Sequence, residues 1–362
     1  MILNLMGGEH SMSMRSAHHF LSKGLFLGVL TLLTAALGGC GTNFAATAGN
    51  GQDTQAQKSL PSQTGGADDS SGNSNGAASE PTAMRTVNQK PRPMLFVRRG
   101  NHVTIQMYTE ETTVNVAPGT PFHAWTFDGT VPGPVLLLRQ GDRVSLTLHN
   151  LDPLMAHSID LHAALLAPNL NFVDVPPGRS RTIHFVASVP GVFLYHCESA
   201  PMLQHIAMGM YGAVVVTQKA MPAPRAVVVQ SEFYLPPTYD NMLNGQPSYV
   251  VFNGQVDRMV SHPLRATVGR PLTIAFVNAG PNESSAFHVV GSTLRTVDLS
   301  GNPADALHDV QTVDVPPGDG ILATLTFAQP GVYPFVSHDM RQFARGAMGH
   351  IVVTRLQTGA RK

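Results

Sequence analysis

Apolar and polar positions alternate in short runs along the chain from about residue 93 onward. VTIQMYT (103–109), VLLLRQ (135–140), RVSLTLHN (143–150), RTIHFVAS (181–188), GAVVVTQ (212–218), PLTIAFVN (271–278) and ATLTFAQ (323–329) are rich in β-branched or aromatic residues. Proline and glycine turns separate them, which predicts strands of a few residues each. No amphipathic run of helical length competes, so the pattern predicts an all-β fold of sandwiches or barrels.

The first 93 residues read differently. A basic segment with Arg15 and Lys23 leads into the 13-residue apolar run Leu25–Leu37, too short for a helix to span a bilayer core of roughly 30 Å. This is the layout of a signal peptide over residues 1–39. The run ends in LGGC, similar to the lipobox of bacterial lipoproteins, which implies that Cys40 is lipidated and begins the mature chain. Gly41 stands where an aspartate would favour inner-membrane retention in that family, so the expected location is an exported, lipid-anchored protein of the outer membrane. Residues 40–92, rich in Gly, Ser, Asn and Gln, bury too little apolar surface to fold and read as a tether.

Composition narrows the class. The chain has 362 residues and a formal net charge of zero, with 23 basic and 23 acidic side chains, which excludes charge-driven binding to nucleic acid or an anionic surface. With two cysteines, Cys40 and Cys197, it is no disulfide-stapled scaffold.

An internal repeat divides the strand-rich part. FDGTVPGP at Phe127 returns as FNGQVDRM at Phe252, QGDRVSLTLHN at Gln140 as VGRPLTIAFVN at Val268, and DVPPG at Asp174 as DVPPG at Asp314. VPGVFLYHC at Val189 returns as QPGVYPFVSH at Gln329, and GMYGAVVV at Gly209 as GAMGHIVV at Gly346. Two copies of one sandwich are expected, at 93–220 and 221–356, with a tail at 357–362. Cys197 matches Ser337, so whatever the thiolate does belongs to the first copy, and His288 is expected near the repeat position of His157.

Strand parity then separates the chemistry. Adjacent strand residues point to opposite faces, so His196 and Cys197 must diverge, as do His157 and His162 if their strand is regular; Asp160 joins His162. Two metal sites back to back follow. One takes Cys197, His157 and, from the loop YHCESAPMLQHIAMGM, His205 and a methionine, Met208 or Met210; the other takes His162 and His196. A thiolate with two imidazoles and a weak thioether is a blue-copper set, and imidazoles alone suit a copper with an open position. Through the His196–Cys197 link the ions would lie on the order of 10 Å apart. The second site needs a third ligand from the other copy, His338, and His288 lies in the same copy; a ring of identical chains is the simplest way to deliver both.

At these residues the chain resembles the copper-containing nitrite reductases, in particular their lipid-anchored outer-membrane members. The likeness spans about Met94 to Thr354, through WTFDGTVPGP, AHSIDLHAA, YVVFNG, AGPNESSAFHVVG and HDMRQFARGAMG. It implies two tandem cupredoxin-like Greek-key β-sandwich domains. It also implies a type 1 copper on His157, Cys197, His205 and Met210 and a type 2 copper on His162, His196 and His338. Asp160 and His288 match the family's proton-handling pair, and Val290 stands where isoleucine usually covers the substrate. The implied activity is one-electron reduction of nitrite to nitric oxide and water. A homotrimer with the type 2 site between subunits, and a periplasmic cytochrome c or small cupredoxin as donor, are implied with it. The chain departs from the family after His162, where Leu165, Leu166 and Pro168 replace a glycine-rich stretch.

Two other readings compete. A multicopper oxidase would need His-X-His pairs and a His-Cys-His triplet, whereas the triplet position here is His196, Cys197, Glu198. A non-catalytic blue-copper carrier would leave Asp160, His162, His288 and His338 without a task.

Overall fold

The computed structural model describes residues 94–218 and 223–356. The expected signal segment, Cys40, the tether, the junction of the two copies near residue 220 and the tail after residue 356 lie outside the described residues.

Four sheets make two sandwiches. In the first, Leu95–Arg99, His102–Ala117, Arg143–Asn150 and Ser180–Val186 lie side by side, with Thr120–Phe127 paired to the second of them. They face a sheet ordered Leu136–Arg139, Tyr211–Thr217, Gly191–His196, Asp160–Leu161. Inward residues of both, such as Ile105, Leu146, Leu136 and Val214, share one core. In the second sandwich a six-stranded sheet running from Tyr249–Phe252 to Ala306–Val310 faces a five-stranded sheet from Leu264–Thr267 to Thr312–Val315. Ile274, Phe276, Phe287 and Phe335 fill the space between them.

The sandwiches also pack on each other. Val192, Leu194, Ala213 and Val215 of the first meet Val229, Ala275, Val277 and Leu322 of the second in a third apolar cluster. Parity on the strand Gly191–His196 therefore matters on both faces. Tyr195 and, just past the strand, Cys197 belong to the first core, while Val192 and Leu194 look toward the second sandwich.

The repeat is visible in hydrogen bonds as well as in sequence. The buried Asn150 donates from Nδ2 to the carbonyls of Met155 (2.8 Å) and Val175 (2.7 Å). Asn278 does the same with Glu283 (2.8 Å) and Val315 (2.9 Å). Val175 and Val315 are the second residues of the two DVPPG segments, so in each copy a buried amide fastens that loop to a central strand.

The reading of the chain as strand-like throughout needs one correction. Short helices interrupt it, among them Met202–Ala207 and Met340–Ala344. At six and five residues they hold less than two turns, too few for a 3.6-residue period to register.

Candidate metal centres

Cys197 sits at the bottom of the first sandwich with no exposed surface. Its Sγ lies 3.3 Å from His205 Nδ1 and 4.0 Å from His157 Nδ1, and the two nitrogens are 3.3 Å apart. Two nitrogens each about 2.0 Å from one ion at a tetrahedral angle lie about 3.3 Å apart, and a sulfur at about 2.3 Å lies slightly farther from each. The three atoms are therefore spaced as ligands of a single cation.

Their protonation agrees. His157 places Nε2 2.9 Å from Asp152 Oδ2, so that nitrogen donates to the carboxylate and Nδ1 turns a lone pair toward Cys197. Asp152 is itself held below the usual carboxylate range. Burial pushes its carboxyl up, but N–H donation from Leu154 and Met155 and the bond to His157 outweigh that. Burial and the nearby His157 pull His205 down to about 4, so its imidazole is neutral and able to ligate at neutral pH. Burial pushes the Cys197 thiol up, against donors from Ser158 and Ser199. A cation in the pocket would reverse that push by stabilising the thiolate.

The helix Met202–Ala207 carries His205 into the pocket, and Trp125 lies with its ring centroid 4.9 Å from that imidazole. Met210 is fully buried; its N–H donates to His205 O and its carbonyl accepts from Cys197 N, both at 3.1 Å. Met208, the other methionine considered, is also buried, and its carbonyl accepts the Trp125 backbone N–H at 3.0 Å.

The second cluster lies on the opposite side of the same peptide. His162 Nδ1 faces the carbonyl of Gly318 at 3.2 Å, and His196 Nδ1 faces that of Cys197 at 3.0 Å. A carbonyl only accepts, so both Nδ1 atoms carry their proton. The two Nε2 atoms then confront each other at 3.2 Å with no hydrogen to share. Burial and the neighbouring His196 hold His162 below the ordinary imidazole value, which keeps its lone pair in place. Such a pair repels unless a cation lies between. Asp160 Oδ2 stands 3.9 Å from His162 Nε2 and 3.7 Å from His196 Nε2, close enough to add negative charge but too far to hydrogen-bond.

His338 is exposed at the end of the strand Gly331–Ser337, its N–H donating to Ala286 O at 2.7 Å. It lies outside the His162–His196 cluster of its own chain. Its ring stands edge-on to that of His288, centroids 5.2 Å apart, and His288 Nδ1 is 2.8 Å from Gln311 O. Val290, just beyond the strand Ser285–Val289, is 44% exposed.

One register expectation is corrected. His288 pairs with Val336, the residue before Ser337, as Asp160 pairs with His196, the residue before Cys197. His288 thus stands at the place of Asp160, and Ser285, three residues earlier, at that of His157.

Four residues of these sites escaped the sequence reading. Asp152 orients His157. Ser158 and Ser199 surround the sulfur. Glu198 carries a carboxyl that burial and the charge of Asp160 push up, within hydrogen-bonding reach of that residue. For Glu198 and Ser199 the signal was their position just after Cys197, and for Ser158 its position after His157; only the folded loop brings Asp152 near.

A multicopper oxidase family model matches residues 108–221. The copper-containing nitrite reductase of Neisseria meningitidis serogroup A is 34% identical over 268 residues, which cover 69% of this chain and 69% of that protein. The chain belongs to the copper-containing nitrite reductase family. Among other members, that of Alcaligenes faecalis is 32% identical over 70% of this chain and 76% of its own length. A solved copper nitrite reductase from Nitrosomonas europaea superimposes with a TM-score of 0.67 at 37% identity, over 70% of this chain and 94% of that one. As expected for this family, the fold is all-β and built from cupredoxin-like sandwiches.

Proposed function

We propose that this chain reduces nitrite to nitric oxide and water, using one electron and two protons per turnover, with one copper ion at each of the two clusters. The carrying observation is the pair of facing, unprotonated Nε2 atoms of His162 and His196 directly behind a buried thiolate pocket. The donor types support copper over other divalent ions: thiolate with two imidazoles at one site, imidazoles alone at the other. Copper there supplies one-electron chemistry at Cys197 and a positive charge that stabilises a bound anion at His162 and His196.

The residues divide the work accordingly. His157, Cys197, His205 and Met210 would hold the type 1 copper, which would supply one-electron chemistry with a cytochrome c or small cupredoxin as donor. The His196–Cys197 peptide carries the electron across by covalent bonds. His162 and His196, joined by His338 of a neighbouring copy in a homotrimer, would hold the type 2 copper, which would supply the positive charge that binds nitrite. Asp160 and His288 hold the protons that the departing oxygen of nitrite requires, and Val290 lies over the substrate space. The chain divides into the segments read from its sequence, with Cys40 as the lipid attachment point and the outer membrane as its location.

Copper per chain and nitric oxide release test the reading together. Two copper ions per chain and nitrite-dependent nitric oxide from a reduced one-electron dye are expected. A His338→Ala variant should keep the visible copper–thiolate colour and lose turnover; full activity in that variant would refute the inter-subunit site. The multicopper oxidase match at residues 108–221 supports a second reading, which four copper ions per chain and oxygen consumption without nitrite would favour.

A further inference from the structure

The strand Gly191–His196 pairs on one side with Tyr211–Thr217 along its whole length, but on the other side with Asp160–Leu161 alone, at Tyr195 and His196. The main-chain groups of its first half that point to that open side need other partners. Val192 N–H donates to the carbonyl of Ser300, in the second sandwich, at 2.8 Å, and Leu194 O accepts the His162 N–H at 3.2 Å. At Val192 the approach is main chain against main chain. A Cβ on Gly301 would come within 2.5 Å of Val192 N, and one on Gly320 within 2.7 Å of Val192 O, so only glycine fits at either place.

One side chain ties together the two turns that make this contact. Asp319 Oδ1 accepts the Ser300 hydroxyl at 2.9 Å and the Gly320 N–H at 2.7 Å. Asp319 directly follows Gly318, whose carbonyl faces His162 Nδ1 at 3.2 Å. His162 is thus supported twice, at its main chain by Leu194 and at its ring by Gly318, and the bond between Asp319 and Ser300 fixes the spacing of those supports. The first copy has the same turn without this latch. Asn150 N donates to Arg179 O at 2.9 Å as Asn278 N does to Asp319 O at 3.0 Å, but the Arg179 side chain is exposed. The carboxylate stands in the copy whose turn reaches an imidazole.

We infer that Asp319 and Ser300 are positioning residues for the His162–His196 pair. By holding the turns of the second sandwich against the strand Gly191–His196, they keep the two Nε2 atoms at the separation that one cation requires. This rests on the reading of that pair as a copper site. Two lone pairs that face each other repel, and rings held in place against that repulsion cost less to organise when the ion binds.

The test is the copper affinity of the full chain, measured by competition with a chelator, with the visible thiolate absorption of the Cys197 site recorded alongside. Asp319→Ala should weaken copper at the His162 site by about 10–100-fold and leave the thiolate band intact. Asp319→Asn keeps an oxygen that accepts from Ser300 and Gly320, and should stay within about threefold of the parent. Ser300→Ala, which leaves the carbonyl bonded to Val192, should weaken copper there about tenfold. Because it changes no main-chain bond, it decides alone if Asp319→Ala loses the thiolate band as well. A Ser300→Ala affinity within about twofold of the parent would overturn the inference. So would an Asp319→Asn variant as weak as Asp319→Ala, because charge and not the latch would then be acting. A parent protein that binds copper at the thiolate alone would instead refute the reading of His162 and His196, and this inference with it.

Discussion

The ligand pocket of the first sandwich and the matching place in the second share a backbone but differ in every side chain that could hold a metal. Cys197 N donates to Met210 O and Met210 N to His205 O at 3.1 Å each; Ser337 N donates to Ala347 O at 3.1 Å and Ala347 N to Gln342 O at 3.0 Å. His157, Cys197, His205 and Met210 therefore correspond to Ser285, Ser337, Gln342 and Ala347. In the second copy a chain of neutral hydrogen bonds fills the space. Ser285 Oγ reaches Gln230 Oε1 at 2.7 Å, Gln230 Nε2 reaches Gln342 Oε1 at 3.1 Å, and Gln342 Nε2 reaches Ser284 O at 2.7 Å. The same loops and strands tolerate a convergent set of lone pairs or a satisfied amide plug, so the metal site is a property of side chains and not of the fold.

The strongest way to break this contrast is Cys197→Ser, which gives the first pocket the residue of the second. It should abolish the visible absorption and reduce nitrite turnover by more than the roughly 100-fold that loss of a ligand-orienting partner costs. Absorbance per chain and nitric oxide release check it. Next comes Asp152→Ala. The second copy has Gly280 at that place, its N–H bonded to Asn278 Oδ1 at 3.0 Å as Asp152 N–H is to Asn150 Oδ1 at 2.9 Å. Removing the carboxylate should weaken copper binding at the Cys197 site by about 10–100-fold, measured by competition with a chelator.

Asn150→Ala and Asn278→Ala sharpen the comparison. Each removes two side-chain hydrogen bonds to loop carbonyls, one of them buried, and should destabilise its sandwich by about 1–3 kcal/mol, read by denaturant unfolding. Only Asn150→Ala should also loosen copper, because Val175, whose carbonyl it holds, exchanges two backbone bonds with His157.

The smallest effect concerns Asp128, the counterpart of Asn253. Both take φ 55°, and each side chain accepts an N–H, from Tyr108 at 3.0 Å and from Val229 at 2.8 Å. Asn253 uses its amide to donate to Val227 O at 3.3 Å, whereas Asp128 Oδ2 is buried without a partner. Burial pushes the Asp128 carboxyl up to about 7. The folded state then holds a proton that the unfolded state, at its ordinary 3.8, has released, so stability falls as pH rises between about 4 and 7 and changes no further above. Asp128→Asn should remove that slope, giving a higher Tm than the parent at pH 8 and an equal one at pH 4.

Much of this was legible in the sequence for reasons that the structure makes physical. The two DVPPG segments and their partner asparagines repeat because each sandwich must satisfy the same buried carbonyls. His196 and Cys197 separate because strand parity allows nothing else. The parts that could not be read are those carried by loops. His157 is held by an isolated bridge to Val175, and the regular strand beyond it is only Asp160–Leu161, so parity between His157 and His162 rested on a strand that is not there. Asp152, Ser158, Ser199 and Glu198 reach their partners through turns whose course no hydrophobic period encodes. The register of His288 depended on a three-residue offset within SSAFHVVG that strand pairing alone decides.

The bond from His162 Nδ1 to the Gly318 carbonyl has a reach beyond orienting one ring. Gly318 closes the second DVPPG segment, so a turn whose own duty is to buckle one half of the molecule has become a fixture of chemistry housed in the other. Neither half can drift or be exchanged for a stranger without disturbing that imidazole, and the duplication that made two copies has since bound them into a single inheritance.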